Sequence, residues 1–481
     1  MSNDADAYVP HPDRLLPADP AVRDIARGLY ELEKDQPIVS PHGHVDPRLL
    51  LDDEPFRDPT SLFITPDHYV NRLLHSRGVD LADLGVGQGP LDESASRAAW
   101  HLLAEHWHAY AGTPSRYWME HEFHEVFGLE TVLNPRTADA MYDEIAEKLT
   151  RPEFRPRALF EQFGITVLAT TDDPVDDLAP HAALAADETF TGRVIPTFRP
   201  DKYLEPARED FVALTDALGE AAGVDVSTYD GYHQAMRTRR LYFRDHGAVS
   251  SDHAHMDPGT QRLADEDARR LYADARAGRI GADDAVALRR HMLGDQARLA
   301  AEDGLVMTIH PAVLRNHSEE IFEKFCPDVG FDIPVAVDYV HHVRPMLNDV
   351  GLDPNFRTVL FTIDETVLSR EIAPLAGVYP SVYAGAPWWF IDAPDAILRY
   401  RRAVSETLGY TRTSGFIDDT RAFCSIPARH DMSRRLDASH LAGLVAEHRL
   451  RIEDARELVT TLPDQQPREV FRLGAAAKEN R

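Results

Sequence analysis

The chain has 481 residues, 43% hydrophobic and 9% aromatic, with 51 basic against 80 acidic side chains and a formal net charge of −29. That surplus repels nucleic-acid phosphates and anionic lipid, and no apolar run approaches the roughly eighteen residues of a membrane span, so neither nucleic acid nor membrane is expected as a partner. Cys326 and Cys424 alone give no disulfide framework or thiolate zinc site, and the acidic, proline-broken start lacks a secretory pattern; a cytoplasmic protein is expected.

In chain order, eight short β-branched or apolar runs recur: "PIVSP" before His42, "ITVLATT" (165–171), "RVIPTF" (193–198), "GAVS" (247–250), "LVMTI" (305–309), "TVLFTI" (358–363), "SVYAGAP" (381–387) and "SGFI" (414–417). Runs buried on both faces and alternating with helical patterns predict parallel strands, and eight such units predict an α/β fold, a (β/α)8 TIM-like barrel. About 120 residues separate the first run from the second. That gap holds "SRAAWHLLAEHWHAY" and "ADAMYDEIAEKL", so a mostly helical inserted subdomain is expected at about 55–155. A second helical excursion, two charged helices around "AGRIGA", is expected at about 257–302, before the fifth strand. No repeat or flexible linker divides the chain, which reads as one catalytic domain over 1–481.

Barrel active sites lie at the carboxyl ends of the strands. The first run ends in "HGH", and on an extended chain positions i and i+2 share a face, so His42 and His44 can converge on one point. The second run ends in Thr171, Asp172 and Asp173, the third in Arg199, the fourth in Asp252 and His253, the fifth in His310, and the eighth in Asp418 and Asp419. Read singly, these have bland roles: "TTDDP" and "SSDHAH" as caps or capping turns, His310 as a core histidine. Asp418 and Asp419 are neighbours and point opposite ways, so one of them faces the site. Read together, histidines from the first and fifth runs and an aspartate from the eighth make a nitrogen and oxygen ligand set, suited to Zn²⁺ or Mn²⁺.

The same strand-end words resemble those of uronate isomerases, a divergent branch of the amidohydrolase superfamily. Nine ordered stretches carry the resemblance: "DQPIVSPHGHVDP", "DHYVNRLLHSRG", "TTDDP", "RPD", "SDHA", "LRN", "PDVGFD", "PWWF" and "DDTRAFCSIPARHDMSRR". The resemblance implies an aldose–ketose isomerase acting on a small uronate sugar, D-glucuronate to D-fructuronate or D-galacturonate to D-tagaturonate, through an enediol. It implies one divalent metal, zinc or manganese, held by His42, His44 and Asp419, with His310 as a further ligand or a hydroxyl contact. Asp419 and Tyr69 are the implied acid/base pair, either of which could take the C2 proton. Arg421, counted with the catalytic pair, and Arg199 and Arg315 are the guanidiniums to match a substrate carboxylate. His68 is placed against sugar hydroxyls, and Trp388 or Trp389 forms pocket wall or plain core.

A mononuclear metal-dependent hydrolase of the same superfamily is the alternative activity, and a silent sugar-acid binding protein the alternative class. The absence of lysine between Lys202 and Lys324 argues against a binuclear hydrolase bridged by a carboxylated lysine. A homo-oligomer is expected. Only Lys34, Lys148, Lys202, Lys324 and Lys478 among the basic residues are lysine, and the surplus of acids reads as adaptation to a salt-rich, screening interior.

Overall fold

The computed structural model describes residues 6–474. Its strands are β1 (Ile38–Ser40), β2 (Ile165–Ala169), β3 (Arg193–Ile195), β4 (Ser250–His253), β5 (Val306–Ile309), β6 (Val313–Leu314), β7 (Ile333–Pro334), β8 (Thr358–Leu360) and β9 (Val382–Ala384). The first three pair in parallel in the order β1-β2-β3, and a second parallel sheet runs β4-β5-β8-β9. Phe198, just past β3, joins the two sheets: its N–H donates to Ser250 and its carbonyl accepts from Asp252. Beyond β9, Ala384 pairs in parallel with Thr413, and His44 N–H donates to the Thr420 carbonyl at 3.0 Å, bringing the eighth run back to the first.

The parallel neighbours therefore follow chain order from first run to eighth, the order of a (β/α)8 barrel. Val39, Val167, Ile195, Val306, Val359, Tyr383 and Ile417, one from each of seven runs, share a single buried cluster, with Val249 packed against it from the remaining one. Val470, Phe471 and Leu473, from the carboxyl-terminal part of the chain, fill out the same cluster.

Two of the eight expected strands differ from the structure. The fourth begins at Ser250, where the "GAVS" run ends, and consists of Ser250, Ser251, Asp252 and His253, all buried. An apolar-run criterion misses such a strand because its side chains are polar yet buried, Asp252 held by Thr308 and His310 and Ser251 by His253. The eighth run, "SGFI", forms no strand; a single bridge, at Thr413, precedes it. Gly415 lies there at φ +78°, and a Cβ on it would meet Pro467 Cδ at 2.7 Å, so the chain turns out of the ladder. The antiparallel pair β6–β7 went unanticipated.

Between β1 and β2 the chain is helical, including Pro59–Phe63, His68–His75, Glu93–Glu105, Pro114–His121 and Ala138–Leu149. Their apolar faces, with Trp100, Phe123 and Tyr142, bury against Ile38 and Ile165 of β1 and β2. Before β5 stand two helices, Asp265–Arg276 and Ala282–Asp303. The helix Ser425–Ala446 after the eighth run buries not a simple apolar stripe but Arg429, His430, Arg434, Arg435 and Asp437 as well.

Candidate metal centre and active site

β1 stops at Ser40, and the turn that follows carries His42 and His44 before Asp46 caps the next helix by accepting the Arg48 N–H. The eighth run delivers Asp419 in a left-handed backbone, φ +41°, a conformation a non-glycine residue adopts at a cost of about 1 kcal/mol or more. Asp419 Oδ1 lies 3.1 Å from His44 Nε2 and 3.6 Å from His42 Nε2. One ligand atom from each of these three residues falls within 4.8 Å of the others. Asp419 Oδ1 and His42 Nδ1 are buried and have no hydrogen-bond partner. Two imidazoles and a carboxylate with an unclaimed oxygen at their meeting point fit a borderline divalent cation.

Burial opposes the charge on Asp419, but His44, then His42 and His310, more than offset this and hold its carboxyl well below the usual carboxylate range. Burial also pushes the His44 pKa down, keeping the ring in the unprotonated form that ligation requires. Asp418, the neighbour, turns away to His430 Nε2 at 3.1 Å.

His310 reaches His42 from the Asp252 side. Its Nε2 is 2.7 Å from Asp252 Oδ1, and His42 Nε2 is 3.9 Å from Asp252 Oδ2, so His42, Asp252 and His310 form a second ligand-competent group sharing His42. Asp252 is the residue that sequence reasoning undervalued. Standing in a polar stretch, it read as part of a capping turn, whereas it is fully buried on β4.

A cavity of about 600 Å³ opens over Asp419 and His44, lined among others by Tyr69, Arg199, His310, Arg315 and Arg421. Asp67 caps the helix His68–His75 by accepting the Tyr69 N–H at 2.8 Å, which sets His68 and Tyr69 in the first turn at the cavity wall. Burial, then the Arg421 charge, pushes the His68 pKa down to about 3, so this ring is neutral. Burial raises the Tyr69 phenol, which stays protonated. Under the Tyr69 ring lies Arg429, 4.7 Å from its centroid and 3.7 Å from that of Trp118, with Nη1 2.9 Å from Asp392 Oδ2. Burial raises the Asp392 pKa to about 7. Trp389, at φ +51°, lines the cavity, meets His68 edge-on at 5.5 Å and stacks on Phe390; Trp388 packs on His310.

The three arginines each hold a carboxylate. Arg199 Nε is 2.9 Å from Asp201 and 3.5 Å from Asp252, Arg315 Nη1 is 2.9 Å from Asp332, and Arg421 Nη2 is 3.0 Å from Asp328. Asp328 and Asp332 were visible in the sequence only as members of "PDVGFD"; no local pattern assigns them their arginines.

Residues 21–469 match the family model described as glucuronate isomerase. The uronate isomerase of Cutibacterium acnes is 54% identical over 461 residues, covering 96% of this chain and 98% of that one. That of Corynebacterium efficiens is 52% identical, covering 97% and 99%. The crystal structure of glucuronate isomerase from Caulobacter crescentus superposes with a TM-score of 0.95 at 43% identity, covering 98% of this chain and 99% of that one. With a match running almost from end to end, over strands, helices and cavity alike, the chain belongs to the glucuronate isomerase family.

Proposed function

We propose that the chain is an aldose–ketose isomerase interconverting D-glucuronate with D-fructuronate, D-galacturonate with D-tagaturonate, or both, in uronate breakdown. The observation that carries this reading is the meeting of His42, His44 and Asp419 beneath a cavity walled by Tyr69, within a chain 54% identical to a uronate isomerase. A divalent cation bound by His42, His44 and Asp419, zinc in our assignment with manganese as the alternative, would stabilise negative charge developing on the sugar oxygens by several kcal/mol. Moving the carbonyl from C1 to C2 takes a proton from C2 and delivers one to C1 while the hydroxyl proton passes from O2 to O1. Asp419, held ionised, is the acceptor at C2, and the Tyr69 phenol, kept protonated, is the proton source for C1. Arg421, Arg199 and Arg315 seat the sugar carboxylate, His68 and His310 meet hydroxyls, and Trp389 bounds the sugar ring.

We further propose that residues 55–155 are an inserted subdomain bringing Tyr69 to the barrel mouth, that 257–302 is peripheral, and that the enzyme works as a cytoplasmic homo-oligomer in high salt. β4, whose residues Ser250–His253 include no lysine, speaks against a binuclear hydrolase, and the mononuclear hydrolase is separated from the isomerase by its products. The test is NMR of the full chain with glucuronate and galacturonate in deuterated water, with and without chelator. Ketose is expected, with formation abolished by chelator and restored by added metal. No ketose from either sugar, with turnover of a lactone or amide instead, would overturn the assignment.

A further inference from the structure

Beyond the Arg199 guanidinium lies a second convergence of imidazole and carboxylate. The short helix Asp201–Leu204 follows β3, and β4 ends at His253, so adjacent strand ends bring Asp201, His253 and His255 together. One nitrogen of each ring and one oxygen of Asp201 lie within 4.8 Å of one another. His255 Nδ1 is 2.7 Å from Glu205 Oε1, and its Nε2 is 3.6 Å from Asp201 Oδ1. A carboxylate on one ring nitrogen keeps the proton there and leaves the lone pair on the other, the arrangement that orients metal-binding histidines. His255 Nε2 is buried without a hydrogen-bond partner, and so is His253 Nδ1, whose other nitrogen sits 3.3 Å from Ser251 Oγ. Buried polar atoms without partners are uncommon, and each of the two rings that meet Asp201 carries one. Asp201 accepts the Ala254 N–H on Oδ1 and Arg199 Nε on Oδ2, so its carboxylate is fixed in place. Asp201, Glu205 and His255 line the cavity over Asp419, which gives an ion a path in.

We propose that Asp201, His253 and His255 form a second site for a divalent transition cation, separate from the His42–His44–Asp419 group. Two imidazoles and a carboxylate select Mn²⁺, Co²⁺ or Zn²⁺ over the harder Mg²⁺ and Ca²⁺. Through Asp201 the site ties the ends of β3 and β4 together and anchors Arg199.

The full chain is stripped with chelator, reloaded with Co²⁺ and freed of excess, and the metal is counted by elemental analysis alongside its visible absorption. Two cations per chain are expected in the wild type, one in His255→Gln, and one in the His42→Gln/His44→Gln double variant. One cation in the wild type, two in His255→Gln, or none in the double variant would overturn the site; in that last case a protonated His255 between Glu205 and Asp201 accounts for the geometry. Should His255→Gln not fold by circular dichroism, Glu205→Gln takes its place. Loss of the tautomer-setting carboxylate is expected to weaken the second cation by about 10- to 100-fold, and an unchanged affinity counts against the site. Metal counts do not depend on turnover, so this result stands apart from the isomerase assignment.

Discussion

Arg429 is 1% exposed, and a guanidinium buried so deeply persists only where its charge is met. Asp392 meets it, and the faces of Tyr69 and Trp118 cover it, so the ring of Tyr69 rests on a fixed cation. Tyr69→Phe keeps that packing and removes only the hydroxyl. It is expected to lower kcat by about 10²- to 10⁴-fold with KM little changed, measured by steady-state kinetics; an unaltered kcat removes Tyr69 from proton transfer. The strand spacing read at His42 and His44 does not hold, since β1 ends at Ser40 and the turn after it carries both rings, but the two were legible as a His-x-His pair at the end of an apolar run. The Arg429–Asp392 pair was not, since its members stand 37 residues apart and nothing local marks either.

The helix His68–His75 begins where Asp67 accepts the Tyr69 N–H, so one cap fixes both the helix start and the height of His68 and Tyr69 over the cavity. Asp67→Ala is expected to reduce stability by about 1 kcal/mol in chemical denaturation and to lower kcat as well. Asp67→Asn keeps a capping oxygen and should restore most of both; a stable but equally slow Asn variant would show that the charge matters, not the cap. The apolar strands β1, β2, β5, β8 and β9 were readable because burial on both faces demands β-branched and aliphatic side chains there. β4 was readable only in position, because Asp252 and His253 are buried as partners of other side chains. The two-residue strands β6 and β7 are too short to leave any periodic trace.

Across the molecule, 80 acidic side chains face 51 basic ones, and the net −29 opposes compaction wherever counterions are scarce. Raising monovalent salt shortens the reach of that repulsion, with a Debye length of about 10 Å at 0.1 M and about 3 Å at 1 M. The thermal midpoint is therefore expected to climb with added KCl, followed by circular dichroism; a flat or falling curve would show that repulsion does not limit stability. Inside the cavity the balance is different, because Arg199, Arg315 and Arg421 each already grip an aspartate. Each grip takes one guanidinium nitrogen, Nε of Arg199, Nη1 of Arg315 and Nη2 of Arg421, so a sugar carboxylate seated as proposed would share its arginine with an acid already in place and meet a charge partly offset beforehand.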